Sequence, residues 1–253
     1  MTNNSRRSKA IRVVGIFFLV MAVVFFGLFL NSLRTAANER QSFEELSNTM
    51  ESSTTEFSED RTARLKGLAA KNGDLVAWLS IDGTPLSYPV MCTPDDPEHY
   101  LKRDFDGESS NSGVPFLGED CTVDSDNVIV YGHNMRDGSM FASLLKYAEQ
   151  SYLSDHPIVR FDTLEGPGKF EVIAAFRETV GDGEDSSAFR YYEYGGRLSK
   201  KRFAEFVSKA KERSLVTADA DASYGDQLLT LSTCGDTRIG TDARFALLAV
   251  RVG

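Results

Sequence analysis

The chain has 253 residues, 42% of them hydrophobic and 26% charged, which excludes wholesale disorder. Its 20 glycines and 7 prolines exclude a collagen-like or Pro/Gly-rich sequence, and 3 cysteines without a CxxC pair exclude a dense disulfide framework or zinc ribbon. A net charge of −9 argues against binding nucleic acid by phosphate neutralisation.

The charge is unevenly placed. Residues 1–30 hold Arg6, Arg7, Lys9 and Arg12 and no acid, so the remainder is strongly acidic. From Val13 to Leu30 there are 18 residues without a polar side chain. As a helix this run spans roughly 27 Å, close to the hydrocarbon thickness of a bilayer. It is longer than the apolar region of a cleaved signal peptide, which favours a retained signal anchor. Ala36 and Ala37 still offer small residues for cleavage. The positive-inside rule predicts a cytoplasmic N-terminus and an extracellular body. The expected division is a basic tail (1–12), a transmembrane anchor (13–30), a helical stalk (31–72) and a globular domain (73–253).

In the stalk, Phe43, Leu46 and Met50 recur at helical spacing, as do Leu65 and Leu68. Two helices joined by Ser52–Ser58 are predicted, with a solvated spacer as the alternative for 31–55. After Gly73 the texture changes to short apolar runs between turn residues. Strands are predicted at Val76–Ile81, Leu86–Met91, Val114–Leu117, Asn127–Tyr131, Ile158–Thr163, Lys169–Phe176, Leu228–Thr233 and Phe245–Val252. About eight strands point to a closed barrel or sandwich. Two helices interrupt them: Met140–Tyr152, and one capped by Ser199 that runs to about Arg213 with Phe203, Phe206, Val207 and Ala210 as its apolar stripe.

Cys234 ends an apolar strand just before Gly235-Asp236. Strand alternation puts Thr230, Ser232 and Cys234 on one face, and a cysteine where a strand meets solvent is placed for reaction. Arg244 opens the next strand. If the two strands pair antiparallel, both residues lie at the same end, where a guanidinium lowers a thiol pKa and donates to an oxyanion. Spacing alone favours an ordinary strand-start charge for Arg244. His133 likewise follows a strand and a glycine. His99 and His156 sit in neighbourhoods that do not resemble a site, and the scattered histidines and cysteines make a poor metal set. Cys92 and Cys121 each follow a predicted strand. They read as two small, partly buried thiols, with a bridge between them as the alternative.

The motifs together resemble those of sortases, the cell-wall transpeptidases of Gram-positive bacteria. Thr230-Leu-Ser-Thr-Cys234 matches the TLxTC signature. Tyr131-Gly-His133-Asn-Met135, followed by Asp137-Gly-Ser-Met-Phe141, is similar to the histidine loop of class B, and Arg244 stands where the family's arginine stands. Trp78–Leu117, with Tyr100-Leu101 and Gly113-Val-Pro-Phe-Leu117, carries the same likeness. Gly118-Glu-Asp120 departs from it, since an Asp often follows the Phe-Leu pair.

The resemblance covers roughly 73–253. It implies a mainly β fold: an eight-stranded sortase-type barrel with N-terminal helices and a long helix before the cysteine strand. It implies a membrane-anchored enzyme in which Cys234 attacks the threonine carbonyl of a C-terminal sorting signal and forms a thioester. His133 would move protons, Arg244 would stabilise the oxyanion, and Leu101, Ser232 and Thr233 would contact substrate. The acceptor would be a peptidoglycan cross-bridge amine, or a lysine if the enzyme builds pili. No metal or organic cofactor is implied. The rival readings are a hydrolytic extracellular cysteine protease and a tethered binding barrel.

Overall fold

The computed structural model describes residues 3–51, 58–180, 188–235 and 242–253. Two compact units divide between Glu45 and Leu46. Helix α1, Asn3–Glu51, runs unbroken across the predicted anchor and first stalk helix. By length and composition it is able to cross a membrane. Phe17, Phe18, Phe25 and Phe26 are exposed along it. Helix α2 spans Ser58–Ala69; the joint predicted at Ser52–Ser58 lies, but for Ser58, outside the described residues.

Eight strands follow: β1 (Leu75–Ser80), β2 (Ser87–Met91), β3 (Phe116–Leu117), β4 (Asn127–Tyr131), β5 (Ile158–Thr163), β6 (Lys169–Thr179), β7 (Leu228–Cys234) and β8 (Ala243–Arg251). They close into one barrel in the order β1-β2-β3-β4-β7-β8-β6-β5. The pairs β2/β3 and β4/β7 are parallel and the others antiparallel. The closed eight-stranded barrel read from the sequence is thus present, and closure leaves no unpaired sheet edge among the described strands.

Boundaries moved where pairing overrode pattern. β3 is only two residues long because the Val114 amide bonds to the Tyr100 carbonyl, in the His99–Lys102 turn, and Pro115 has no amide to pair. β6 runs three residues past Phe176 because its pairing with β8 continues to Thr179 opposite Ala243.

The helix predicted at Met140–Tyr152 is a correction. It is a 3₁₀ helix over Phe141–Ala148, an extended Glu149, and a short helix α3 at Gln150–Asp155. The buried residues Phe141, Leu144 and Tyr147 recur every third position, which is the repeat of a 3₁₀ helix rather than an α-helix. Helix α4, Lys200–Glu212, starts where predicted: the Ser199 hydroxyl accepts a hydrogen bond from the Arg202 amide. Phe203, Phe206 and Ala210 of α4 pack with Phe176, Ala246 and Leu248 and with Phe189, Tyr191 and Tyr194 in one apolar cluster.

Cys92 and Cys121 carry free thiols; Cys121 is buried and Cys92 half-buried. Burial pushes both above the ordinary cysteine range, so neither is an activated thiol.

Helix α2 lies on β1 and β5. Leu65 and Leu68 are buried there, and Arg61 Nε and Nη2 each lie 2.8 Å from Asp162 Oδ2. The Asp162 side chain is only 3% exposed, against 23% for Arg61. Removing the guanidinium strands a buried carboxylate. Arg61→Met is expected to cost about 2 to 3 kcal/mol, the low end for breaking a buried pair because Arg61 keeps some water contact. A lower denaturant midpoint at unchanged m-value checks this; an unchanged midpoint would show that α2 docks through its leucines alone.

Candidate active site

Strands β4 and β7 run parallel and in register, with Tyr131 opposite Ser232. One face of this pair is polar yet satisfied. Thr230 Oγ1 donates to Asn127 Oδ1 at 2.9 Å, and Asn127 Nδ2 donates to the Tyr194 carbonyl at 2.9 Å. Ser232 Oγ lies 2.7 Å from Tyr191 Oη. Each of these groups would be costly if left unpaired in the interior.

The chain then leaves β4 through Gly132 into His133. The Gly132 amide donates to the Ser232 carbonyl at 3.1 Å, and Thr233 Oγ1 donates to the Gly132 carbonyl at 2.7 Å. The Phe141 amide donates to the His133 carbonyl at 2.8 Å. Backbone on both sides of His133 is therefore tied down. A Cβ on Gly132 would stand 2.8 Å from the Phe141 ring, so this passage needs glycine.

The imidazole is oriented as well as placed. His133 Nε2 lies 2.8 Å from the Leu101 carbonyl. A carbonyl only accepts, so Nε2 carries the proton and Nδ1 is left for chemistry in the neutral ring. Leu101 sits in a 3₁₀ helix, His99–Lys102. Gly113 lets the backbone pass close beneath it: a Cβ there would lie 2.5 Å from the Leu101 oxygen.

Strands β7 and β8 pair antiparallel with Cys234 opposite Arg244. The Gly235 amide donates to the Ala243 carbonyl at 2.8 Å and prolongs the ladder past this pair. Arg244 also faces Glu178 across β6/β8. The half-buried Arg244 lines a groove of about 630 Å³ together with His133, Leu101, Ser232 and Thr233. Cys234 is placed by its backbone, on the strand that carries Ser232 and Thr233 into the groove. Neither His99 nor His156 lines this groove: His99 pairs with Asp96 and His156 Nδ1 meets the Asp82 carbonyl.

Several groove residues escaped the sequence reading. Tyr131 and Ile129 contribute to the groove, Val180 and Tyr192 line it, and Asp96, Glu98 and Glu119 give it an acidic margin. Tyr131 was within reach, because it precedes His133 by two residues and a strand face repeats every two. Its hydroxyl is pushed well above the usual tyrosine range, mainly by burial, with Arg244 pulling the other way. It stays neutral beside the guanidinium. Tyr191 and Tyr192 carry no periodic signal.

Ser232 and Thr233, expected as substrate contacts, are 1% and 2% exposed and spend their hydroxyls on Tyr191 and Gly132. The Gly132 passage gives a direct test. Gly132→Ala should lose about 2 kcal/mol through overpacking against Phe141, read as a Tm lower by about 4 to 8 °C. An unchanged Tm would mean that the Phe141 ring moves aside freely.

No family model matches the sequence. Among curated relatives, sortase B of Staphylococcus aureus is 26% identical over 246 residues, covering 96% of this chain and 97% of that protein. Sortase B of Listeria monocytogenes is 33% identical over 189 residues, 74% of this chain and 73% of that protein. Among solved structures, a Staphylococcus aureus sortase B–substrate complex superposes with a TM-score of 0.73 at 27% identity, covering 87% of this chain and 98% of that one. Sortase B complexed with triglycine gives 0.75 at 26% identity, covering 86% and 98%. Sortase B from Bacillus anthracis gives 0.71 at 29% identity, covering 87% and 99%. With a curated relative 33% identical over 74% of it and sortase B structures matching most of its length, the chain belongs to the sortase B family and is a sortase-type cysteine transpeptidase.

Proposed function

We propose that this enzyme cleaves a sorting signal after its threonine and transfers the new C-terminus to an amine, while tethered to the outer face of a membrane by α1. The observation that carries this reading is a single groove that holds His133 and Arg244, with Cys234 across the β7/β8 ladder from that arginine. Relatives crystallised with substrate and with triglycine support a peptide donor and a glycine-type amine acceptor.

In this reading the Cys234 thiolate attacks the threonine carbonyl carbon. Negative charge builds on the carbonyl oxygen, and the Arg244 guanidinium donates to it. The C–N bond breaks as His133, protonated at both nitrogens, gives the Nδ1 proton to the leaving amine. A thioester remains. The incoming amine attacks it, Nδ1 takes back a proton, and the thiolate leaves as the new amide forms. The Nε2–H bond to Leu101 holds throughout, so one ring atom is free for transfer and the other fixes its aim. The groups named suffice for the proton and charge balance of both steps. The anchor suits this work: the basic residues before the apolar run would keep the N-terminus inside.

Cys234→Ala should abolish covalent capture of a sorting peptide, because no other nucleophile in the scheme replaces the thiolate. Capture by the Ala variant would remove Cys234 from the mechanism. Arg244→Lys keeps the charge and loses the planar fork, and should slow the reaction by about 10²–10³-fold. Near-normal turnover would mean that charge alone matters. Adding triglycine should divert product from hydrolysis to ligation; hydrolysis alone would make the enzyme a protease. Cell fractionation should recover the full-length chain with membranes, and a shortened soluble form would overturn the anchor.

A further inference from the structure

Ser232 occupies the variable position of the signature, two residues before the cysteine. Its hydroxyl is turned into the protein: the residue is 1% exposed and Oγ lies 2.7 Å from Tyr191 Oη, itself on a residue 1% exposed. The Tyr191 ring is met edge-on by Phe176 at 5.6 Å and by Tyr192 at 5.9 Å. Tyr192 is half-buried and forms groove wall.

Both tyrosines belong to a 3₁₀ helix, Tyr191–Tyr194, that lies outside the barrel strands and starts without a side-chain cap. Its far end is held by the stacking of Tyr194 on Phe206, with ring centroids 5.0 Å apart, and by Asn127 on the Tyr194 carbonyl. At its near end the buried hydroxyl pair ties it to the strand that carries the cysteine. A short 3₁₀ segment has little intrinsic stability, so such ties decide where it stands.

Resting on the roles proposed above, we propose that Ser232 is a positioning residue. Its bond to Tyr191 sets the stance of the Tyr191–Tyr192 wall over the groove. It thereby controls how tightly the sorting peptide is held, not how fast the bond to sulfur forms. The barrel strand thus serves the reaction twice, through its terminal cysteine and through a brace two residues earlier.

The bond can be cut from either side. Tyr191→Phe keeps the ring and its packing; Ser232→Ala removes the partner. Either substitution cuts the same bond, so each single variant should raise the peptide KM about five- to tenfold and the double variant no more than either. In all three, kcat should hold within about twofold and the triglycine KM should not move, because a uniform binding loss leaves kcat alone. The same ordering should appear in peptide Kd measured in a Cys234→Ala background, which reads the wall without chemistry.

Multiplicative losses in the double variant would overturn the proposal and make Ser232 a direct substrate contact. Unchanged peptide KM and Kd in Tyr191→Phe would also overturn it, and that variant decides the matter even if Ser232→Ala does not fold. Failure of the broader catalytic reading looks different: the parent enzyme would bind the peptide yet neither capture it nor ligate triglycine, while the Kd pattern stood.

Discussion

The register of β7 is the constraint on which the rest of the structure depends. The strand is bonded along one edge to β4, in parallel, and along the other to β8, antiparallel. Side chains on a strand alternate, so a slip of one residue would exchange the two faces. Leu229 and Leu231 would then leave their buried positions, and Thr230 and Ser232 would leave Asn127 and Tyr191. The polar bonds on one face and the apolar burial on the other specify the same register. Local and global preferences agree, which is what a unique native arrangement requires.

That register explains why one short strand gathers so much of the groove. Thr233 reaches the Gly132 carbonyl and steadies the approach to His133. Ser232 reaches Tyr191 on the opposite side. The ladder itself sets Cys234 against Arg244. Parts of the chain as much as 101 residues apart are thereby fixed to a common reference. Preorganisation of this kind lowers the reorganisation needed when charge develops during a reaction.

The barrel was legible in the sequence because its strands carry strong local signals. Asn127–Tyr131 and Ile158–Thr163 begin and end where alternation and turn residues place them. Ser199 announced α4 through its capping chemistry. Legibility failed where the backbone is irregular. Phe141–Ala148 repeats at three residues, too close to 3.6 to be told apart over two turns. The groove walls were hidden for a different reason. Val180, Tyr191 and Tyr192 lie just past the end of β6 and in a four-residue 3₁₀ helix, segments too short to show a period. Their meeting is a property of barrel closure. The pairing of Cys234 with Arg244 was accessible only because a nine-residue connection limits where the chain can return.

The Leu101–His133 bond has one more consequence. The last carbonyls of a helix lack partners within it, and here the imidazole supplies one: His133 caps the 3₁₀ helix His99–Lys102 through its oxygen at Leu101. A hydrogen bond from a charged donor is shorter and roughly twice as strong as one from a neutral donor. On the proposed roles the ring alternates between charged and neutral within every turnover. The cap therefore tightens when the ring holds two protons and slackens when it gives one away.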